Sequence, residues 1–216
     1  YFCGCNDFVT GFPCNATALV HFRYRIGEEG IELILKESIR INGEDGGDPN
    51  ISVDTTVQEK NITFPTDDKL HKKIIKRCHK LAEREGITLR QSYTPTLKKL
   101  SYDQRFRSHP CNRAKARKAD KKIKTIAGRL VRDIERKLSP SSPQHSGLAF
   151  YKQVLAQQRN SKNKTYSLHE PDVCCISKGK DHKKYEFGNK VSIAYTQSTG
   201  VIVGAKSFRN EYDGHT

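Results

Sequence analysis

Two patterns of ionisable side chains carry whatever chemistry this chain performs. The first is a single carboxylate. Asp54 is the sole charge in the run Ile51-Ser52-Val53-Asp54-Thr55-Thr56-Val57. Period-two alternation puts Ile51, Val53, Thr55 and Val57 on one side of a strand and Asp54 on the other. A carboxylate in a β-prone run is costly unless it is exposed, hydrogen-bonded or ligating a metal, and the pattern alone favours exposure. The second pattern is cationic. The chain holds 39 Lys+Arg against 24 Asp+Glu, a formal net charge of +15. Lys69 to Lys137 contains 23 Lys/Arg and 6 Asp/Glu, a local net of +17, and the remainder stands at −2. Such a concentrated field attracts polyanions, because each phosphate contact adds counterion release to the affinity. Lys72, Lys73, Lys76 and Arg77 crowd the polar face of one amphipathic run. Arg113, Lys115, Arg117, Lys118, Lys121 and Lys122 crowd the front half of another, and Arg23 and Arg25 project from an earlier one. These twelve are the candidate DNA contacts. A solvated basic face with no partner is the plainer alternative.

The remaining chemistry is thin. The seven Cys are odd in number and scattered, with no C-x-x-C pair. Cys3, Cys5 and Cys14 fit no standard zinc spacing, so reduced thiols are expected. No apolar run reaches membrane-spanning length and no signal-peptide pattern is visible, which points to a soluble intracellular chain. The chain opens on Tyr1 and contains no Met, and both ends read as cut.

The elements that must position these groups are mostly helical. Thr17 can cap a run through Leu19, Val20, Phe22 and Ile26 that Gly27 closes, and Glu28 opens a second run to Ile39. Asn42 to Pro49 is a turn-rich acidic linker. After the strand at 51–57, a helix is expected from Asp67. Its apolar face is Leu70, Ile74, Ile75, Cys78, Leu81 and Ala82, and Gly86 ends it. A second begins at Pro110, with the core stripe Ile123, Ile126, Ala127, Leu130, Val131, Ile134 and Leu138. Between them Tyr93, Tyr102 and Phe106 stand among Lys98, Lys99, Arg105 and Arg107, as core residues or as platforms for unpaired bases. Pro95 biases Thr94 away from helix. Ser139 to Gly147 reads as a loop and Phe150 to Arg159 as a helix. Strands follow at 173–176, at 185–195 and, across a turn at Gln197 to Gly200, at 201–205.

Several of these stretches resemble a known family. Val53-Asp54-Thr55-Thr56-Val57-Gln58-Glu59-Lys60-Asn61-Ile62-Thr63-Phe64-Pro65-Thr66-Asp67 is similar to the signature of bacterial transposases of the insertion-sequence-five family. So are Tyr185-Glu186-Phe187-Gly188-Asn189-Lys190-Val191-Ser192, Gly200-Val201-Ile202 and Asn210-Glu211-Tyr212-Asp213-Gly214-His215-Thr216. Tyr1-Phe2-Cys3-Gly4 and Leu19-Val20-His21-Phe22-Arg23 resemble that family's N-terminal helical module. The likeness runs in order along nearly the whole chain. Pro95 and Cys111 depart from it, each standing where a basic residue would be expected.

The resemblance implies an N-terminal helical module over 1–47 and an incomplete RNase H-like DDE domain over 48–216, of α+β or α/β class. The basic helical segment 66–165 is then an insertion after the first strand, and the strands at 185–205 belong to the same sheet. It implies that Asp54 is the first of three catalytic carboxylates that together hold two Mg²⁺ or Mn²⁺ ions for phosphodiester hydrolysis and strand transfer. The implied partners are terminal inverted repeats and target DNA, in the bacterial cytoplasm near the nucleoid, with a homo-oligomer compatible. Only the first acid is matched, so the chain by itself is expected to be inactive. The alternative from another class is a non-enzymatic basic nucleic-acid-binding module.

Overall fold

The computed structural model describes residues 14–42, 49–158, 160–177 and 184–208. The motifs at Tyr1–Gly4 and Asn210–Thr216, Cys3 and Cys5, Arg159 and most of the acidic linker lie outside them. The described residues are mixed α and β, with five helices and an antiparallel sheet. The described residues divide into two compact units. One comprises those up to Thr56 and Val191–Ser207; the other comprises Val57–Lys190 with Phe208.

In the first unit, α1 spans Ala16–Ile41. Its cap is Asn15, whose side chain accepts from the Thr17 N–H at 3.2 Å, so Thr17 is inside the helix instead of capping it. Asn and Thr are both good caps, and Asn15 takes the role because it lies one residue before the first helical turn. Gly27 (φ 62, ψ −166) breaks the helix where the two apolar runs meet, as their spacing predicts. A residue with a Cβ rarely adopts that backbone.

The second unit is built on four helices: α2 (Asp67–Arg84), α3 (Thr94–Asp103), α4 (Pro110–Lys137) and α5 (Gln144–Ala156). Thr66 caps α2 by accepting from the Lys69 N–H, and Asp67 and Asp68 complement the dipole of its first turn. Every residue of the predicted α4 stripe is buried, and α4 packs against α2, α3 and α5. Leu70, Ile74, Ile75, Cys78 and Ala82 of α2 join that core, with Leu81 partly buried against it. Boundaries differ from expectation at the start of α3 and at both ends of α5, which stops at Ala156. Pro95 sits in the first turn of α3, where its missing N–H would have no helical partner anyway, so Thr94 is helical. α5 starts at Gln144, because Pro143 already holds φ −63 and Ser142 Oγ accepts from the Gln144 N–H at 3.3 Å. Gln144 to Gly147 is therefore helix and not loop.

Four strands, β1 (Ile51–Glu59), β2 (Cys174–Ser177), β3 (Tyr185–Thr196) and β4 (Ile202–Phe208), form one sheet in the order β1-β3-β2, with β4 also paired to β3. β2 and β3 are antiparallel, with Cys174 opposite Gly188 and Ser177 opposite Tyr185. β1 runs antiparallel to β3 as well. Gln197 N–H donates to Asn50 O at 3.0 Å in the first unit, and Lys60 N–H to Phe187 O at 3.0 Å in the second. At Gly188 a Cβ would overlap the carbonyl oxygen of Gln58, so only glycine lets the two backbones pass this close. The β3–β4 turn is closed by Thr196, whose Oγ1 accepts from the Val201 N–H at 2.8 Å, with Gly200 at φ 72. No helix among the described residues is long and apolar enough to cross a membrane.

Candidate nucleic-acid interface

The buried stripe of α4 fixes what its opposite side presents. Positions 118, 122, 125, 129, 132 and 136 advance in steps of four and three residues, so they form one row along the helix. All six are exposed, and five are basic: Lys118, Lys122, Arg129, Arg132 and Arg136. At 1.5 Å per residue the row is about 27 Å long. Beside it the segment 90–96 forms the second wall of two adjoining cavities. One, of about 280 Å³, is lined by Arg90, Gln91, Tyr93, Arg129, Arg132, Asp133 and Arg136 among others. The other, of about 460 Å³, is lined by Gln91, Tyr93, Thr96, Lys118, Lys121, Lys122, Thr125 and Arg129 with Ile126. They share Gln91, Tyr93 and Arg129 and make one basic groove.

Among the described residues Asp133 is the one carboxylate lining these cavities, and it faces the groove's own cations. Its side chain is 7% exposed and accepts from the Arg90 backbone N–H at 3.0 Å. Arg136 lies 3.5 Å from it, Lys137 3.3 Å and the Arg90 guanidinium 3.8 Å. Burial pushes this carboxyl up, but the Arg90 N–H, the Lys137 ammonium and the Arg136 guanidinium outweigh it and hold it below its ordinary value. Lys137 also donates to Thr88 O at 2.6 Å. Asp133 and Lys137 thereby strap residues 88–90 onto α4. Tyr93 follows at φ 59, the left-handed region that a bulky residue rarely enters, and packs partly against the core.

The predicted contacts separate into groups. Lys118, Lys121 and Lys122 line the groove. Arg113 and Arg117 are exposed on α4, Lys76 on α2, and Arg23 and Arg25 on α1 in the other unit. Four are held by the protein itself. Lys72 pairs with Asp68 at 3.4 Å and Lys115 with Asp103 at 3.0 Å; Lys73 donates to Thr63 Oγ1 at 3.0 Å and Arg77 to Leu168 O at 3.3 Å. Sequence reasoning missed Arg90, Arg129, Arg132 and Arg136. The row's spacing continues past Lys122 and could have found three of them. Arg90 depends on Asp133, forty-three residues away, and had no local signal.

Asp54 belongs to the first unit. It lies in β1 and is exposed. Among the described residues no group of three or more His, Cys, Asp or Glu could hold a metal ion. The residues described therefore do not make the metal site that the resemblance implies, and no hydrolytic step is derived through it. Cys14 and Cys111 are exposed free thiols, whereas Cys78 is buried, its pKa pushed up to about 12 by that burial.

No known protein-family profile matches the chain. No solved structure matches it. It is 36% identical over 114 residues to a Rhizobium meliloti protein named "Uncharacterized protein ORF8 in nfe locus". That match covers 50% of this chain and 55% of the relative, so the chain spans about half the relative's length.

Proposed function

We propose that the chain binds DNA along the α4 groove, as the DNA-holding part of a DDE-type transposase. The observation that carries the binding is the row Lys118-Lys122-Arg129-Arg132-Arg136, joined by Lys121 and Arg90, around one carboxylate that is already paired. Exposed cations spaced along a helix contact successive phosphates and carry no base information, so this surface holds DNA without reading it. The transposase part rests on the family motifs around Asp54, Tyr185 and Gly200. In that reading β1, β3 and β4 belong to an RNase H-like sheet, the helices between β1 and β2 are its insertion, and Asp54 supplies one of three Mg²⁺-binding carboxylates. The protein then works with the bacterial nucleoid.

A second reading is a binding module with no catalysis; among the described residues no group of three or more His, Cys, Asp or Glu that could hold a metal ion includes Asp54. The two readings share the groove and differ in cleavage. Anisotropy with duplex DNA between about 50 and about 200 mM salt should give a slope of log K against log salt of roughly −4 to −6, about −0.9 per phosphate engaged. The triple charge reversal Lys118→Glu, Arg129→Glu, Arg132→Glu should flatten it. Unchanged affinity in that variant would remove the groove from the account. Cleavage of inverted-repeat DNA with Mg²⁺ or Mn²⁺, lost in Asp54→Ala, would establish the transposase reading over the module.

A further inference from the structure

The end of α3 and the turn that follows it carry two aromatic rings, Tyr102 and Phe106, that the groove does not use. Phe106 is 77% exposed and Tyr102 64% exposed. An exposed Phe alone means little, but this one also stands at φ 52, in the left-handed region that is strained for a bulky residue. The protein holds it there from both sides. Gln104 is buried and donates through Nε2 to the carboxylates of Asp68 on α2 and Asp120 on α4. Arg107 donates to the same Asp120 oxygen at 2.8 Å, and the His109 N–H closes the turn onto Phe106 O at 3.0 Å. Residues 104 and 107 are thus clamped to one carboxylate while Phe106 projects between them. Beside it the Arg105 guanidinium lies over the Tyr102 ring, 4.9 Å from its centre. The turn leads directly into α4, at the end from which the basic row begins.

We propose that Phe106 is a stacking platform for an unpaired nucleic-acid base, with Arg105 and Tyr102 beside it. The ring has no polar atom to satisfy, its presentation is fixed before binding, and adjacent Arg and Lys residues supply the phosphate attraction that base stacking needs. A preorganised ring gives up little entropy on binding, which is a reason to hold a Phe in a strained and exposed position. The inference rests on the reading of α4 as a DNA-holding helix and adds the DNA form preferred: one with unpaired or splayed bases over a perfect duplex.

The test uses the full chain and duplexes that carry 2-aminopurine either in an unpaired loop or in a perfect helix; the protein contains no Trp, so the probe reports alone. Wild type should bind the looped DNA more tightly and quench its probe. Phe106→Ala should lose about fivefold or more of that preference while keeping perfect-duplex affinity and its salt slope. Phe106→Tyr, which keeps a stacking ring and adds no Trp, should retain the preference, which a merely structural role would not require. A wild type that binds perfect duplex without preferring the loop, or a Phe106→Ala that keeps both preference and quench, overturns the stacking proposal and leaves the groove intact. A wild type that binds neither the looped nor the perfect DNA overturns both. An RNA loop bound equally well would mean that the platform reads the base and not the sugar.

Discussion

Asp133 shows how one side chain can set a surface of opposite sign. It is the acidic residue in a basic groove, yet it adds little negative field there, since Arg90, Arg136 and Lys137 surround it. Its role is to position the 90–96 wall. Asp133→Ala would leave the Arg90 N–H and the facing cations uncompensated, and should lose about 1–3 kcal/mol in urea unfolding. Asp133→Asn can still accept that N–H and should lose less. Equal losses would mean that the ion pairs, and not the backbone bond, hold the wall. The carboxyl is held below its ordinary value in the fold. Its contribution is therefore present above the unfolded carboxylate pKa of about 3.9 and is lost as pH falls through the lower folded value.

At the scale of elements, α4 and the β1–β3 pair are the two structures that a single substitution should damage most. Ile126 is buried in the centre of the α4 stripe, and Ile126→Ala should cost about 2–5 kcal/mol by denaturant unfolding. Gly188→Ala forces a Cβ against Gln58 O and should open or shift the β1–β3 pairing. Faster amide exchange at the Lys60 N–H, which bonds Phe187 O, would report it; an unchanged rate would mean that the strands tolerate the methyl group. These elements differ in how legible they were. The helices α2 and α4 could be read because apolar residues recur at helical spacing and one face of each is buried, whereas α3 buries Leu100 and was not read as a helix. β1 was read less well: Ile51 and Val53 are 56% and 63% exposed, so alternation marked the strand but not a buried face. Half of the groove was legible as well, through Lys118, Lys121 and Lys122. Arg129, Arg132 and Arg136 continue that row at helical spacing, whereas the 90–96 wall is built by contacts far apart in sequence, Arg90 with Asp133 above all, and no local pattern encodes it. The strained backbone at Tyr93 and Phe106 was equally invisible, because neither residue type announces a positive φ.

The whole molecule concentrates its positive excess in one helical unit, and two consequences follow for stability. One concerns acid. His71 is buried on α2, and burial first, then the Lys124 charge, hold its pKa below the ordinary value against the opposing pull of Asp67, Asp68 and Asp120. A depressed histidine favours the fold fully above its unfolded pKa of about 6.5, and that contribution is lost as pH falls through the lower folded value. Stability should therefore decline from neutral pH downward, and His71→Gln should flatten this part of the profile.

The other consequence concerns counter-charge. With 23 Lys/Arg against 6 Asp/Glu between Lys69 and Lys137, self-repulsion opposes the compact state at low ionic strength. A polyanion that binds only the folded groove should relieve it. Duplex DNA at about 100 times its Kd adds about 2.7 kcal/mol, which is roughly 5–10 °C in Tm for a chain of this size. Salt acts on both terms in opposite directions: it screens the repulsion, raising the Tm of the free protein, and it weakens the complex, shrinking the DNA-induced shift. The two melting curves, with and without DNA, should therefore converge as salt increases from about 50 to about 200 mM. The triple charge reversal on α4 should raise the free protein's low-salt Tm and abolish the DNA shift together. If the shift survived that variant, the DNA would be held by some other part of the +17 segment, and the row on α4 would be a solvated face.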